Sequence, residues 1–481
     1  MNNAIRHTWV VSVGLFMTLF IAISVIQVPM TDELNAHPHN VRQMYQDRGA
    51  DRGTITVDGD PIAESVPSDS AFDHQRVYHD PELYAGITGF YSIAEPPTGL
   101  ESAMNEYLTG QADSQFFDRM TALFTGSADE GAQVELTIDP ELQQVAYDTL
   151  AQGERGSIIV TDVETGEIRA MATRPSYDTN ELAVHSTSQF SENKAEIESV
   201  EGLSPYYFRP INSTIAPGST FKLVDLAAML GSGDYSPDTM LDNPDQITLP
   251  QSQTQLGNFF GGNCHTSSRA DLTFITAQSC NTPFAEAAMD MGEDPIREAA
   301  EDFGWNSEMQ IPLSVTASHF PEDLTDAALA QSSIGQYDVT ATPMQINMMT
   351  MAIANGGTMM QPSLIETVRG SDLQVIEQHE PEELGQPISS DVADDMTELM
   401  QAAVEEGTAH RANSSDIDIA AKTGTGQIGG TDLVNSWVTG FAPADDPQYA
   451  VTVAYERIVF ETGTGLTAPN MLTMFEAVIE E

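Results

Sequence analysis

The 481-residue sequence predicts an α+β fold. Three observations carry that expectation. Strand-like runs come first in the largest domain, helical patterns fill its middle, and strand-like runs return at its end, so one sheet can hold both ends. A segment of short strand and turn signals stands ahead of it. Ahead of both lies one uncharged apolar run, Thr8 to Val28. The length predicts two to three domains, and 41% hydrophobic residues suffice for a large core.

The apolar run spans about 20 residues, enough to cross ~30 Å of hydrocarbon as a helix. Arg6 precedes it and acidic, Pro-containing sequence follows, which favours a cytoplasmic N-terminus and an exported bulk. The rival is a cleaved signal peptide at Ala22-Ile23-Ser24, although apolar residues continue past that site. A buried N-terminal helix of a cytosolic protein is the third reading. In RGTITVDG (52–59), Ile55 and Val57 alternate with polar residues before an Asp58-Gly59 turn. Residues 79–92 are broken by Pro81 and several glycines, and residues 100–110 read as a short helix. Residues 126–133 form a small, polar hinge.

Beyond the hinge, a strand from Val134 leads into a helix opened by Asp139 as N-cap and Pro140 in the first turn. Residues 156–173 read as a hairpin turning near Glu164-Thr165-Gly166. Helical patterns cover 219–230 and 284–292. Residues 344–357 form an apolar helix closed by Asn355-Gly356-Gly357, with its methionines as core filler. IDIAAKTGT (417–425), NSWVTGFAP (435–443) and YAVTVAYE (449–456) are strand-like. The predicted divisions are a tail (1–7), an anchor (8–28), a pedestal (29–132) and an α+β domain (133–481).

Lys plus Arg total 18 against 72 Asp plus Glu, for a net charge of −54. Charged residues are only 19%, below the usual ~25%, so the skew comes from missing basic residues. A nucleic-acid partner is excluded for want of a basic face. Disorder is excluded by ordinary, periodic apolar content. Such acidity suits salty or alkaline surroundings that screen self-repulsion; a generally acidic proteome is the other reading. The histidines show no ligand spacing, so neither a metal nor another cofactor is expected. Cys264 and Cys280 are the only cysteines. In an oxidising compartment they would close a loop of roughly 15 residues, worth about 3 kcal/mol. Two unpaired buried thiols are the alternative.

Only three lysines occur: Lys194, Lys222 and Lys422. Lys222 stands three positions after Ser219 in APGSTFK, so the two share a helix face. A serine hydroxyl is a poor nucleophile and needs a base within reach. Lysine becomes that base when burial or a nearby cation lowers its pKa, whereas arginine stays charged. Backbone N–H groups at the helix start suit a developing oxyanion. Alone, Ser-x-x-Lys is a weak signal. It gains weight from Ser279-Cys280-Asn281, in a turn between helical patterns, and Lys422-Thr423-Gly424-Thr425, on a strand-like run. Lys194 reads as a solvated charge.

In this order the three motifs match the penicillin-recognising serine enzymes. The sequence resembles the membrane-anchored class B penicillin-binding proteins, and within them the actinobacterial elongation-and-division type. The likeness runs over nearly the whole chain, including RGTITVDG, LTIDPELQQVA, GEIRAMATRPSYDTN, IGQYDVTATPMQ and SWVTGFAP. It implies a serine-transpeptidase fold: an antiparallel sheet flanked by helices, an all-helical subregion, an N-terminal membrane helix and an elongated β-rich pedestal.

It also implies roles. Ser219 would be the acylated nucleophile and Lys222 its base. Ser279 would relay a proton to the leaving group, and Asn281 would hold Lys222 and a substrate amide. Lys422 would keep the site electropositive. Thr423 and Thr425, around Gly424, would grip a terminal carboxylate. The N–H groups of Ser219 and Thr425 would form the oxyanion hole, and the Thr425 strand would align the donor peptide. Where the family often has Asn-Arg before the serine, Phe208-Arg209 alters the expected wall of the acyl site. A Cys264–Cys280 bridge would tether the Ser-x-Asn loop, so reduction would slow acylation.

The implied activity is that of a serine D,D-transpeptidase of the D-Ala-D-Ala carboxypeptidase class, cross-linking peptidoglycan stem peptides and acylated by β-lactams. The implied location is the bacterial cell membrane, single-pass, with the catalytic domain outside. The pedestal is too short to polymerise glycan, so a separate SEDS-type membrane polymerase is implied as partner. A serine β-lactamase needs a carboxylate that activates water, which 72 acids leave open. A non-catalytic penicillin-binding sensor or scaffold is the remaining alternative.

Overall fold

The computed structural model describes residues 2–27, 51–70, 72–115, 131–259, 264 and 267–479. The molecule divides into two units, residues 1–51 with 66–75, and residues 52–65 with 76–481. The first unit contains helix α1 (Asn2–Gln27). Its stretch Ile5–Ser24 is long and apolar enough to cross a membrane, and its side chains are exposed. A helix apolar on all sides needs an apolar phase around it. Val28, the end of the expected anchor, and residues 126–130 of the expected hinge lie outside the described residues.

Two larger sheets use β1 (Ile55–Val57), β2 (Asp60–Pro67), β3 (His74–Tyr78), β4 (Gln133–Leu136), β5 (Arg155–Asp162), β6 (Ile168–Arg174), β7 (Ile365–Arg369), β8 (Val375–Gln378), β9 (Ala420–Gln427), β10 (Leu433–Ala442) and β11 (Tyr449–Val459). The pedestal sheet runs β8-β7-β4-β1-β2-β3. Its β1–β2 hairpin turns at Asp58 (φ 51) and Gly59 (φ 77), the paired left-handed residues that a two-residue type I′ turn requires. The segment expected to be broken at Pro81 is instead helix α2 (Pro81–Thr88). Proline is tolerated in a first turn, where its missing N–H has no partner to lose, and Gly89 (φ 63) ends the helix. Residues 99–103 and 105–108 form two short helical turns where one was expected.

A buried triad holds the pedestal. Glu101 takes Arg52 Nη2 at 2.9 Å and Arg76 Nε at 2.5 Å. Burial alone would raise its carboxyl, but Arg76 and Arg52 outweigh it and hold the carboxyl below its ordinary range.

The central sheet of the larger domain is antiparallel, in the order β9-β10-β11-β5-β6. The two ends of the domain therefore meet in one sheet, as the element order predicts. Helix α3 (Pro140–Thr149) carries the expected N-cap, with Asp139 Oδ1 accepting from Leu142 N at 2.8 Å. The helical subregion holds α4 (Lys222–Gly231), α5 (Leu272–Ala277) and α6 (Thr282–Met291). Helix α7 (Pro343–Ala354) is buried over its whole length. It joins the sheet through Thr350 Oγ1 and Thr439 Oγ1, 2.6 Å apart, and Thr161 Oγ1 donates to Asn347 Oδ1 at 2.9 Å. Helices α8 (Ser390–Glu405) and α9 (Phe460–Ile479) complete the cover. Helices α3 and α9 share a core with the sheet that includes Leu142, Val160, Val438, Met471 and Phe475.

Candidate active site

The serine loop is packed against β9 closely enough to exclude a side chain. Gly218 has φ 54, and a Cβ there would lie 2.4 Å from the Thr425 carbonyl. Only glycine meets both demands. Gly424 is bound from the other side, since a Cβ on it would lie 2.5 Å from Pro217 O. Trp437 Nε1 donates to Ala216 O at 3.0 Å, and Gly218 N donates to Gly335 O at 3.0 Å. Below the loop, Phe221 stacks on Phe320 with centroids 5.5 Å apart and meets Trp305 edge-on at 5.7 Å.

Ser219 lies in a 3-10 turn, Gly218–Thr220, and the α-helix begins only at Lys222. The expected helix start thus falls three residues later. The separation survives, because 3-10 geometry eclipses residues three apart.

Lys222 Nζ is fully buried and donates to Ser279 O (2.9 Å), Cys280 O (2.8 Å) and Asn281 Oδ1 (2.8 Å). Among the described residues it makes no hydrogen bond with Ser219 Oγ. In unliganded sites such catalytic contacts are long and tighten only with substrate bound. Lys422 Nζ donates to Ser279 Oγ at 2.8 Å and Thr423 O at 3.0 Å. Burial pulls the Lys422 amine down to about 7. Burial, and then the Lys422 charge, push Lys222 well below the ordinary lysine range. Asp225, one turn further along α4, opposes that shift. Its own carboxyl is buried, pushed up by that burial, and neither oxygen has a hydrogen-bond partner among the described residues.

The Ser-x-Asn loop is strained and held. Ser279 has φ 55, a left-handed conformation that costs a non-glycine residue ~1–3 kcal/mol. It forms the C-terminal turn of α5, where Ser279 N bonds Thr276 O (3.1 Å) and Cys280 N bonds Ile275 O (3.0 Å). A disulfide joins Cys264 to Cys280, the middle residue of the motif. Asn258 Oδ1 accepts from Asn281 N at 2.7 Å and Thr282 N at 3.2 Å, while Asn281 Nδ2 donates to Gly257 O at 3.1 Å. Asn258 was not singled out in the sequence, because nothing local ties it to a motif distant along the chain.

Ser219, Ser279, Asn281, Thr423, Gly424 and Thr425 line one cleft of about 840 Å³, with Cys264 on its wall. Lys222, Lys422 and Cys280 lie fully buried beneath it. Every residue singled out for chemistry is thus brought together. Sequence reading missed Thr408, whose hydroxyl lies 2.6 Å from that of Thr423, and Gln336, whose Nε2 donates to Thr425 O at 3.2 Å. Phe208 and Arg209 are not among the residues lining the cleft. Phe208 lies over Gly86, and Arg209 pairs with Glu456 at 3.4 Å. Lys194 is not simply solvated: it pairs with Glu95 at 3.0 Å and lies 4.7 Å from the centre of the Tyr206 ring. No Asp or Glu is among the described residues lining the cleft.

Known proteins resemble this chain in sequence and fold. Residues 156–470 match the penicillin binding protein transpeptidase domain, and residues 52–134 match the penicillin binding protein A dimerisation domain. The chain is 37% identical to the peptidoglycan D,D-transpeptidase PbpA of Mycolicibacterium smegmatis, over 100% of both chains. It is 35% identical to PbpA of Mycobacterium tuberculosis, covering 100% of this chain and 99% of that one. The penicillin G acyl-enzyme complex of penicillin-binding protein A from M. tuberculosis superposes with a TM-score of 0.84 at 35% identity, over 89% of this chain and 100% of that one. With its fold, its ordered motifs and a likeness that spans its full length, the chain belongs to the penicillin-binding proteins that carry a transpeptidase domain.

Proposed function

We propose that the protein is a peptidoglycan D,D-transpeptidase that cross-links stem peptides through an acyl-enzyme on Ser219. The observation that carries this reading is the paired lysine network: both amines are buried and both converge on Ser279, at the cleft that Ser219 lines. With one of its three contacts released, neutral Lys222 turns its lone pair to Ser219 and takes its proton as Oγ attacks the carbonyl carbon of the D-Ala-D-Ala amide. The N–H groups of Ser219 and Thr425 receive the oxyanion. The C–N bond breaks, and a proton passes through Ser279, supported by Lys422, to the departing D-Ala. An amine of a second stem then attacks the ester and frees Ser219. Asn281 orients Lys222 and a substrate amide, and Thr423 and Thr425 hold the terminal carboxylate beside Gly424. The Cys264–Cys280 bridge keeps the Ser279 loop in place. β-Lactams enter as mimics of the donor and stop at the acyl stage.

Among the described residues the lining carries no carboxylate, which favours this reading over a β-lactamase, whose deacylation needs a base that activates water. In the proposed organisation, residues 1–7 are cytoplasmic, 8–28 anchor the chain, 29–132 form the pedestal and 133–481 carry out transpeptidation outside the membrane. A SEDS-type glycan polymerase is the proposed partner.

The test is incubation with a fluorescent penicillin. A long-lived adduct that Ser219→Ala abolishes, together with cross-linking of nascent glycan, supports the transpeptidase. Rapid turnover would support a lactamase. A stable adduct without cross-linking would support a sensor.

A further inference from the structure

The chain has four acids for each basic residue (72 against 18), yet its cleft is lined by none of them among the described residues. One arginine, Arg411, is on that lining. Most described arginines are paired with a carboxylate. Arg411 has no ion pair and no hydrogen bond among the described residues. Arg369 and Arg457 also have no ion pair among the described residues, but Arg411 is the one on the cleft, where its exposed guanidinium meets an anion that enters.

Its placement narrows the choice. Arg411 stands on the 3-10 turn His410–Ala412, just after Thr408, whose hydroxyl lies 2.6 Å from that of Thr423. Its Nη1 reaches α9, 3.6 Å from where a Cβ on Gly465 would be. It lines the same cleft as Thr423–Thr425, the stretch proposed above to hold the end of the donor peptide. Two hydroxyls can hydrogen-bond a carboxylate but bring no charge. A guanidinium adds charge and a planar fork that fits both oxygens.

We propose that Arg411 is the specificity-determining cation of this cleft, selecting substrates that end in a free carboxylate. The inference rests on the proposed transpeptidase reading. It makes the cleft discriminate by charge: carboxylate-terminated peptides and carboxylate-bearing β-lactams enter, while their esters and amides are disfavoured.

The experiment crosses one protein group with one ligand group. Full-length protein in detergent is acylated with a penicillin or with its methyl ester, as wild type, Arg411→Gln and Arg411→Lys. For the free acid, Arg411→Gln should lower the second-order acylation constant about 10- to 100-fold, the range of a charge-assisted hydrogen bond. The loss should appear in the concentration needed for half-saturation and not in the limiting rate. The ester should react within about twofold of wild type, and Arg411→Lys should recover part of the loss. Equal losses for acid and ester, or no loss for either, overturn the proposal while leaving the transpeptidase reading standing. A wild type acylated by neither compound overturns that reading, and this inference with it.

Discussion

Lys422 Nζ donates a 2.8 Å hydrogen bond to Ser279 Oγ. The backbone oxygen of the same serine accepts from Lys222 Nζ at 2.9 Å. One residue thus touches two buried amines: burial lowers both, and the Lys422 charge lowers Lys222 further. The chemistry needs that division: one amine must give up its proton while the other stays available to lend one.

The pH dependence of acylation follows. Acylation should rise as pH climbs through the lowered Lys222 value, because only the neutral amine accepts the Ser219 proton. It should fall above about 7, where Lys422 loses its charge. Lys422→Arg should remove the falling limb, since arginine does not titrate there. Stopped-flow acylation across pH measures both limbs, and a profile identical in the variant would contradict the assignment.

Asp225 counteracts the depression of Lys222. Asp225→Asn keeps the shape and removes the ionisable carboxyl. The neutral form of Lys222 should then persist to lower pH, and the rising limb of the acylation profile should move in the acid direction. A limb that stays in place, or moves to higher pH, would rule this out.

The pedestal triad is a stability element. Glu101→Gln leaves Arg52 and Arg76 buried without their counter-charge, at an expected cost of about 3–5 kcal/mol. The sign with pH is set by the lowered carboxyl of Glu101: its stabilisation is complete above the ordinary carboxylate range and is lost as pH falls through the lower, folded value. Thermal melts of wild type and variant against pH should converge in acid. Parallel curves would show that the triad contributes nothing of this kind.

The disulfide restrains a strained loop. Reduction should cost about 3 kcal/mol for a loop of this size. It should also let Ser279 relax from φ 55 and slow acylation about tenfold, the equivalent of ~1.4 kcal/mol. Thiol titration confirms the reduction, and a labelled penicillin reads the rate. An unchanged rate in fully reduced protein would mean that the hydrogen bonds with Lys222, Lys422 and Asn258 hold the loop without the bridge.

How much was legible in the sequence follows from what each feature depends on. Ser219 with Lys222, Ser279 with Asn281, and Lys422 with Thr425 are local spacings, so their order was readable. The Asp58-Gly59 turn and the Asp139 cap were readable for the same reason. Asn258, Thr408, Gln336 and Arg411 reach the cleft from outside the three motifs, and nothing local marks them. The pairing of β7 with β4, which draws residues 365–369 into the pedestal sheet, depends on a return of the chain that no window of sequence contains. Pro81 was read as a breaker because proline both ends and begins helices, and only the fold decides which. Lys194 looked solvated because its partner, Glu95, lies far back in the chain.

The central claim is that an unprotonated Lys222 accepts the proton of Ser219. Lys222→Arg tests it most directly, since it keeps a long hydrogen-bond donor at the position and removes the base. With labelled penicillin and intact-mass detection of the Ser219 adduct, the variant should acylate about 10²- to 10⁴-fold more slowly than wild type across neutral and alkaline pH, with its fold retained by thermal melt. A correctly folded Lys222→Arg protein that acylates within about tenfold of wild type would contradict the account.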